Sequence, residues 1–100
     1  MRIGALIPFS LIEYPNHISA IIFTIGCNLR CPYCQNPELV NPSLYPEEIP
    51  LSKILSFLKK RAGQLEGVVI TGGEPLLHTD ISSVCYKIKK LGYDVMIETN

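Results

Sequence analysis

One hundred residues, 47% of them hydrophobic and 18% charged, allow one globular domain at most and argue for a packed core over a disordered tail. Nine basic residues cancel nine acidic ones, which excludes the electrostatic footprint of a general nucleic-acid binder. Arg2 precedes a short apolar run, but Pro8 interrupts it and no small-residue cleavage site follows, so no signal peptide is read. The most apolar stretch, Ile18 to Ile25, is far shorter than the ~20 residues of a membrane-spanning helix. Clustered cysteines without a secretory signal favour metal or redox chemistry over disulfides, and the expected compartment is the cytoplasm.

In chain order, Arg2 to Ile12 alternates weakly and predicts a short edge strand, reversed by the turn punctuation of Tyr14-Pro15-Asn16. Ile18 to Ile25 is almost continuously apolar and β-branched, as in a strand buried on both faces. Prolines 37, 42, 46 and 50 recur through a segment that no long helix can occupy, so an extended covering loop is expected there. From Leu51 the period changes. Leu51, Ile54, Leu55 and Leu58 share one helical face, and Lys59, Lys60 and Arg61 fall where the helix dipole favours cations, with Gly63 just beyond.

Val68 to Thr71 predicts a second buried strand running into Gly72-Gly73-Glu74-Pro75. A second helix follows, capped by Thr79 or Asp80, with Ile81, Val84, Cys85 and Ile88 on its apolar face and Leu91-Gly92 at its close. Tyr93 to Ile97 makes a third strand ending in Glu98-Thr99-Asn100. The fold class is therefore α/β, a β-α-β-α-β run with an N-terminal edge strand, which implies parallel pairing and right-handed crossovers. In such sheets chemistry gathers beyond the carboxyl ends of the strands, where three polar segments of this chain converge.

The first of these segments is the most distinctive. Gly26-Cys27-Asn28-Leu29-Arg30-Cys31-Pro32-Tyr33-Cys34 places three of the four cysteines within eight residues, separated by three and then two positions. Closed structural zinc sites normally take four protein ligands, whereas three thiolates around a four-iron cubane leave one iron open to a small molecule. The alternatives are three small buried hydrophobes, or a zinc knuckle completed by His17, His78 or Cys85. Cys85 itself, on an apolar helix face, reads as a small hydrophobe. His78 reads as an ordinary helix-entry histidine, and His17 as a turn residue. Gly72-Gly73-Glu74-Pro75 taken alone is equally a tight strand-to-helix turn.

The cysteine spacing, with the aromatic Tyr33 before the last cysteine, resembles the signature of the radical S-adenosylmethionine (SAM) enzymes. The run Gln35-Asn36-Pro37-Glu38-Leu39-Val40, preceded by Pro8-Phe9-Ser10-Leu11-Ile12-Glu13-Tyr14-Pro15, is similar to the glycyl-radical-enzyme activating branch, in particular activators of anaerobic ribonucleoside-triphosphate reductase and of pyruvate formate-lyase. Members often carry glycine where Asn16 stands, and asparagine is the next best residue in a left-handed turn position.

That resemblance implies a [4Fe-4S] cluster on Cys27, Cys31 and Cys34, whose open iron chelates SAM. It implies that Gly72, Gly73, Glu74 and Pro75 hold the methionine end, with Glu74 meeting the ammonium, that Tyr33 packs beside the adenine, and that Glu98, Thr99 and Asn100 line the pocket; Asn36 is either a donor behind the cofactor contacts or a turn residue before Pro37. No catalytic residue separate from the cluster is expected. The implied reaction is reductive SAM cleavage and abstraction of hydrogen from a glycine of a partner enzyme, with a flavodoxin- or ferredoxin-type electron donor. A radical SAM enzyme acting on a small molecule, of the deazapurine-precursor type, and a non-catalytic zinc or iron–sulfur module are the alternatives.

Residues 1–100 are then the N-terminal portion of a radical SAM domain, with a cluster loop at 26–36, a cofactor turn at 72–75 and a third strand end at 98–100. Three parallel strands cannot close a barrel, so further β/α units are expected beyond them, and a chain of this length alone is not expected to be a complete catalyst. If it were complete, oligomerisation would have to cover the open strand edge.

Overall fold

The computed structural model describes residues 1–11, 14–26, 47–72 and 74–98, and its elements follow the apolar patterning closely. Strand β1 (Ile3–Ser10) runs antiparallel to β2 (Ser19–Thr24), with Leu6 opposite Ile22 and register irregularities between Ile3 and Ala5 and between Ile7 and Ser10. The reversal between them closes with the His17 amide donating to the Tyr14 carbonyl at 3.0 Å. Asn16 has φ 64°, the left-handed conformation expected of a residue standing in for glycine.

Helix α1 (Leu51–Lys60) leads into β3 (Gly67–Gly72), and helix α2 (Ile81–Lys90) leads into β4 (Asp94–Ile97). β2 pairs with β3 in parallel from Ser19–Gly67 to Thr24–Gly72, and β3 with β4 in parallel from Gly67–Asp94 to Ile70–Ile97. Spatial order equals sequence order, β1-β2-β3-β4, so the edge strand and the three parallel strands predicted from the sequence form one sheet. The covering loop expected from the recurrent prolines falls largely at 37–46, outside the described residues.

Because side chains alternate across a strand, each apolar run serves two surfaces. Ala20 and Ile22 of β2 with Val68 and Ile70 of β3 meet Ile54 and Leu58 of α1 and Val84 and Ile88 of α2 in one buried cluster. Both helices therefore cover the same sheet face. Ile21 and Val69 point to the other face and are only 4% and 0% exposed, which explains why β2 and β3 read as continuous and not alternating apolar runs. Each such side chain contributes roughly 1.5–3 kcal/mol on burial.

Three local features differ from the sequence expectation. A single 3₁₀ turn, Pro75–Leu77, intervenes before α2, because the Glu74 carboxylate accepts the Leu76 amide at 3.1 Å and the Pro75 ring presets the first residue of the turn. Asp80 occupies the position before α2 but its side chain makes no capping bond, and the carboxylate instead pairs with the Met1 ammonium. That partner holds its carboxyl below the usual range, since a charge-assisted bond to a cation outcompetes a neutral amide.

The third feature is Tyr93, which lies just ahead of β4 and is buried with its hydroxyl donating to the Leu58 carbonyl at 2.5 Å. One aromatic ring thus ties the last turn of α1 to the entry of β4. Tyr93→Phe keeps the ring and removes the hydroxyl's bond, leaving the Leu58 carbonyl with the Arg61 amide at 3.2 Å, so a loss of about 0.5–1.5 kcal/mol is expected in urea unfolding, with no change in slope. Among the described residues, no helix is long and apolar enough to cross a membrane.

Candidate functional site

The parallel register brings the carboxyl ends of β2, β3 and β4 level with one another, and the chain leaves each strand through a polar segment. β2 continues through Ile25, which is buried, into Gly26, the residue before Cys27. The Ile25 amide donates to the carbonyl of Arg2, the residue just ahead of β1, at 2.9 Å, so the pairing with the N-terminal segment continues one residue past β2. The Glu74 amide donates to the Gly26 carbonyl at 2.8 Å, locking the root of the cysteine segment to the turn that follows β3. On the far side the Glu98 amide donates to the Ile70 carbonyl at 3.0 Å, extending the β3–β4 ladder past the end of β4.

Gly72 lies where β3 presses on β2. Its φ is 116°, and a Cβ there would lie 2.4 Å from the Thr24 amide nitrogen and 2.6 Å from the Thr24 carbonyl oxygen. Thr24 is fully buried and its Oγ1 donates to the Thr71 carbonyl at 3.1 Å, a second tie between the same two strand ends. Sequence reasoning passed over Thr24; the available signal was a hydroxyl at the end of an otherwise apolar strand.

Glu74 is 6% exposed, an unusual position for a carboxylate, and it sits between the backbone of Gly26 and the 3₁₀ turn. A buried carboxylate is a charge-matched hydrogen-bond partner for a cationic group. Pro75 beside it is also buried.

His78 follows the 3₁₀ turn, its amide donating to the Pro75 carbonyl at 3.2 Å. It is not the ordinary surface residue expected: Nε2 is buried without a hydrogen-bond partner among the described residues. Burial, and then the nearby Met1 ammonium, push its pKa down, so the ring is neutral at physiological pH. Cys85 packs partly buried against the helix-face core, and burial pushes its thiol pKa up, as for a small hydrophobe. His17 lies before β2 and Gly26 lies after it, with the length of a six-residue strand, about 20 Å, between them, so His17 belongs to the opposite end of the sheet.

The structure therefore brings Gly72, Glu74, Pro75 and Glu98 to one edge with the root of the cysteine segment. Cys27, Cys31, Cys34, Tyr33, Asn36, Gly73, Thr99 and Asn100 lie outside the described residues. Among the described residues no cluster of His, Cys, Asp or Glu is arranged to hold a metal ion. Glu74 is buried and its amide is bonded to Gly26, the residue that precedes Cys27 in the sequence.

A parallel β/α sheet with its polar groups gathered at the carboxyl edge defines the class of protein. A profile of the Radical SAM superfamily matches residues 21–100. The chain belongs to that superfamily. It is 40% identical over 82 residues to a 7-carboxy-7-deazaguanine synthase of Aquifex aeolicus, covering 82% of this chain and 36% of that one. It is 35% identical over 102 residues to a protein of Methanocaldococcus jannaschii named as a glycyl-radical enzyme activating enzyme, covering 98% of this chain and 40% of that one. Over 106 residues it is 35% identical to the pyruvate formate-lyase-activating enzyme of Clostridium pasteurianum, covering 98% and 42%. The chain thus spans about two fifths of the length of these relatives.

Proposed function

We propose that residues 1–100 form the N-terminal portion of a radical SAM activating enzyme that generates a glycyl radical on a partner protein, anaerobic ribonucleoside-triphosphate reductase in the first instance. The observation that carries this reading is the 2.8 Å bond from the Glu74 amide to the Gly26 carbonyl, which joins the root of the Cys27-Cys31-Cys34 segment to the buried carboxylate turn. Cys27, Cys31 and Cys34 would hold a [4Fe-4S] cluster, which supplies the electron for reductive cleavage of SAM. Glu74 receives the ammonium of the methionine moiety, Gly72 and Gly73 offer their backbone, and Glu98, Thr99 and Asn100 bound the pocket on the β4 side. Pro75 fixes the turn, Tyr33 packs beside the adenine, and Asn36 supports the loop.

The near-complete coverage of this chain by two relatives named as activating enzymes favours a protein substrate. The 40% identity to a relative named as a 7-carboxy-7-deazaguanine synthase supports the second reading, a small-molecule substrate. Both readings share the cofactor chemistry. A flavodoxin- or ferredoxin-type protein is the matching electron donor.

The test is anaerobic reconstitution of the full-length protein with iron and sulfide, reduction, and electron paramagnetic resonance with and without SAM. A [4Fe-4S]⁺ signal that SAM perturbs, and that Cys31→Ala abolishes, is the expected result. A folded sample that takes up only zinc and ignores SAM would overturn the cofactor assignment. Once the cluster is loaded, a glycyl radical doublet on added reductase selects the protein substrate, and turnover of an isolated purine precursor selects the small molecule.

A further inference from the structure

The opposite end of the sheet carries a cluster that the proposed chemistry does not use. His17, the last residue of the β1–β2 turn, has both ring nitrogens on acceptors: Nδ1 lies 2.9 Å from the Pro15 carbonyl and Nε2 lies 2.9 Å from Oδ2 of Asp94, the first residue of β4. Its ring stacks on Tyr14 with centroids 4.0 Å apart and planes at 28°. β2 and β4 are not neighbours, since β3 lies between them, and β3 begins with Gly67. A Cβ on Gly67 would lie 2.9 Å from Tyr14 Cδ2 and 3.3 Å from His17 Cδ2, so the aromatic pair crosses the sheet over the one strand start that has no side chain.

A carbonyl and a carboxylate only accept, so satisfying both bonds requires the ring to donate from both nitrogens, which only the imidazolium does. A neutral imidazole carries one proton and must give up one of the two partners. We propose that His17 is a protonation-dependent clasp that ties the β1–β2 turn to the start of β4 across Gly67.

The groups around it are disposed to favour the charged form. Asp94 faces it from β4. Glu66, just ahead of β3, accepts the Ile18 amide through Oε1 at 3.1 Å and returns its own amide to the Ile18 carbonyl at 2.7 Å, which holds a second carboxylate beside the ring. Tyr14 contributes a π face, and Lys89 of α2 lines an open depression together with Tyr14 and Asp94. The bond to Pro15 first, and that to Asp94 next, raise the His17 pKa above the ordinary value of 6.5.

A pKa raised on folding stabilises the native state fully below the unfolded-state value, and that contribution is lost as pH rises through the folded-state value. The clasp therefore holds on the acid side of neutrality and releases above the elevated pKa. Asp94 is 71% exposed and the pair is screened by salt, so raising the ionic strength should shrink the effect.

The experiment is ¹⁵N-histidine NMR titration of the full-length protein, with His17 assigned by loss of its signal in His17→Gln. In the wild type His17 should titrate above the value in the denatured chain, with both nitrogens protonated below it. In Asp94→Asn the pKa should fall back toward that value. Melting temperatures of wild type and His17→Gln, compared from about pH 5.5 to about 8.5, should differ most at the acid end and converge as pH rises. A wild-type His17 that titrates at or below its denatured-state value overturns the proposal, as does a melting difference that is constant with pH. If His17→Gln does not fold, the histidine signal whose pKa falls in Asp94→Asn identifies His17, and the absence of any such signal overturns the proposal.

Discussion

Gly72→Ala should cost on the order of 2–5 kcal/mol, enough to leave much of a marginally stable chain unfolded. Two penalties coincide at this position. The φ of 116° lies in a region that a residue with a Cβ adopts only under strain. The added atom would also fall 2.4 and 2.6 Å from the amide nitrogen and carbonyl oxygen of Thr24, backbone atoms that no rotamer change can move aside. Relief requires separating β2 from β3 at the end where Thr24 Oγ1 and the Glu74 amide join the two segments. Gly63→Ala is the control. Gly63 has φ 87° and open space where a Cβ would go, so it carries the conformational penalty alone, about 1–2 kcal/mol. Equal losses for the two variants in urea titration would mean that the contact with Thr24 relaxes freely and does not position the turn.

Glu74→Gln should leave the fold nearly intact and weaken SAM binding by about tenfold to a hundredfold, the equivalent of a charge-assisted hydrogen bond. The amide side chain keeps an oxygen to accept from Leu76, so the 3₁₀ turn survives the substitution. What disappears is the negative charge, in a position 6% exposed where water screens it little. Glu74→Ala removes both functions and should also lower the melting temperature. Titrating SAM against the cluster signal of each reconstituted variant separates the two roles. Unchanged SAM affinity in Glu74→Gln would reduce this carboxylate to a cap for the turn.

Most of the scaffold was legible because its signals are local. The runs at Ile18 to Ile25 and Val68 to Thr71 are short and rich in β-branched residues, which favours a two-faced strand over a buried helix, and the spacing of Ile54, Leu55 and Leu58 favours a helix. The direction of the strands followed from the crossovers, and with it the convergence of the polar segments at one edge. What escaped was set by side-chain partners, one of them two residues away and the others distant in sequence. The Glu74 side chain, by accepting the Leu76 amide, makes a 3₁₀ turn out of a stretch that reads as a helix entry. Asp80 is diverted from capping by an ammonium 79 positions away, and His17 is joined to Asp94 across 77 positions. No window of sequence contains either pair. The same holds for Tyr93, whose hydroxyl fixes it to α1 and withholds it from the strand that its aromatic character suggests.

The in-phase parallel register has a bearing on how such a chain diversifies. Each polar segment hangs from its own strand, and the cluster that holds the strands against the two helices is built from side chains of the strands and helices themselves. Loop sequences beyond the strand ends can therefore be rewritten one at a time without repacking the core, provided the few backbone ties at Gly26, Gly72 and Glu74 persist. Relatives named as a 7-carboxy-7-deazaguanine synthase and as a pyruvate formate-lyase-activating enzyme are 40% and 35% identical to this chain over the aligned residues.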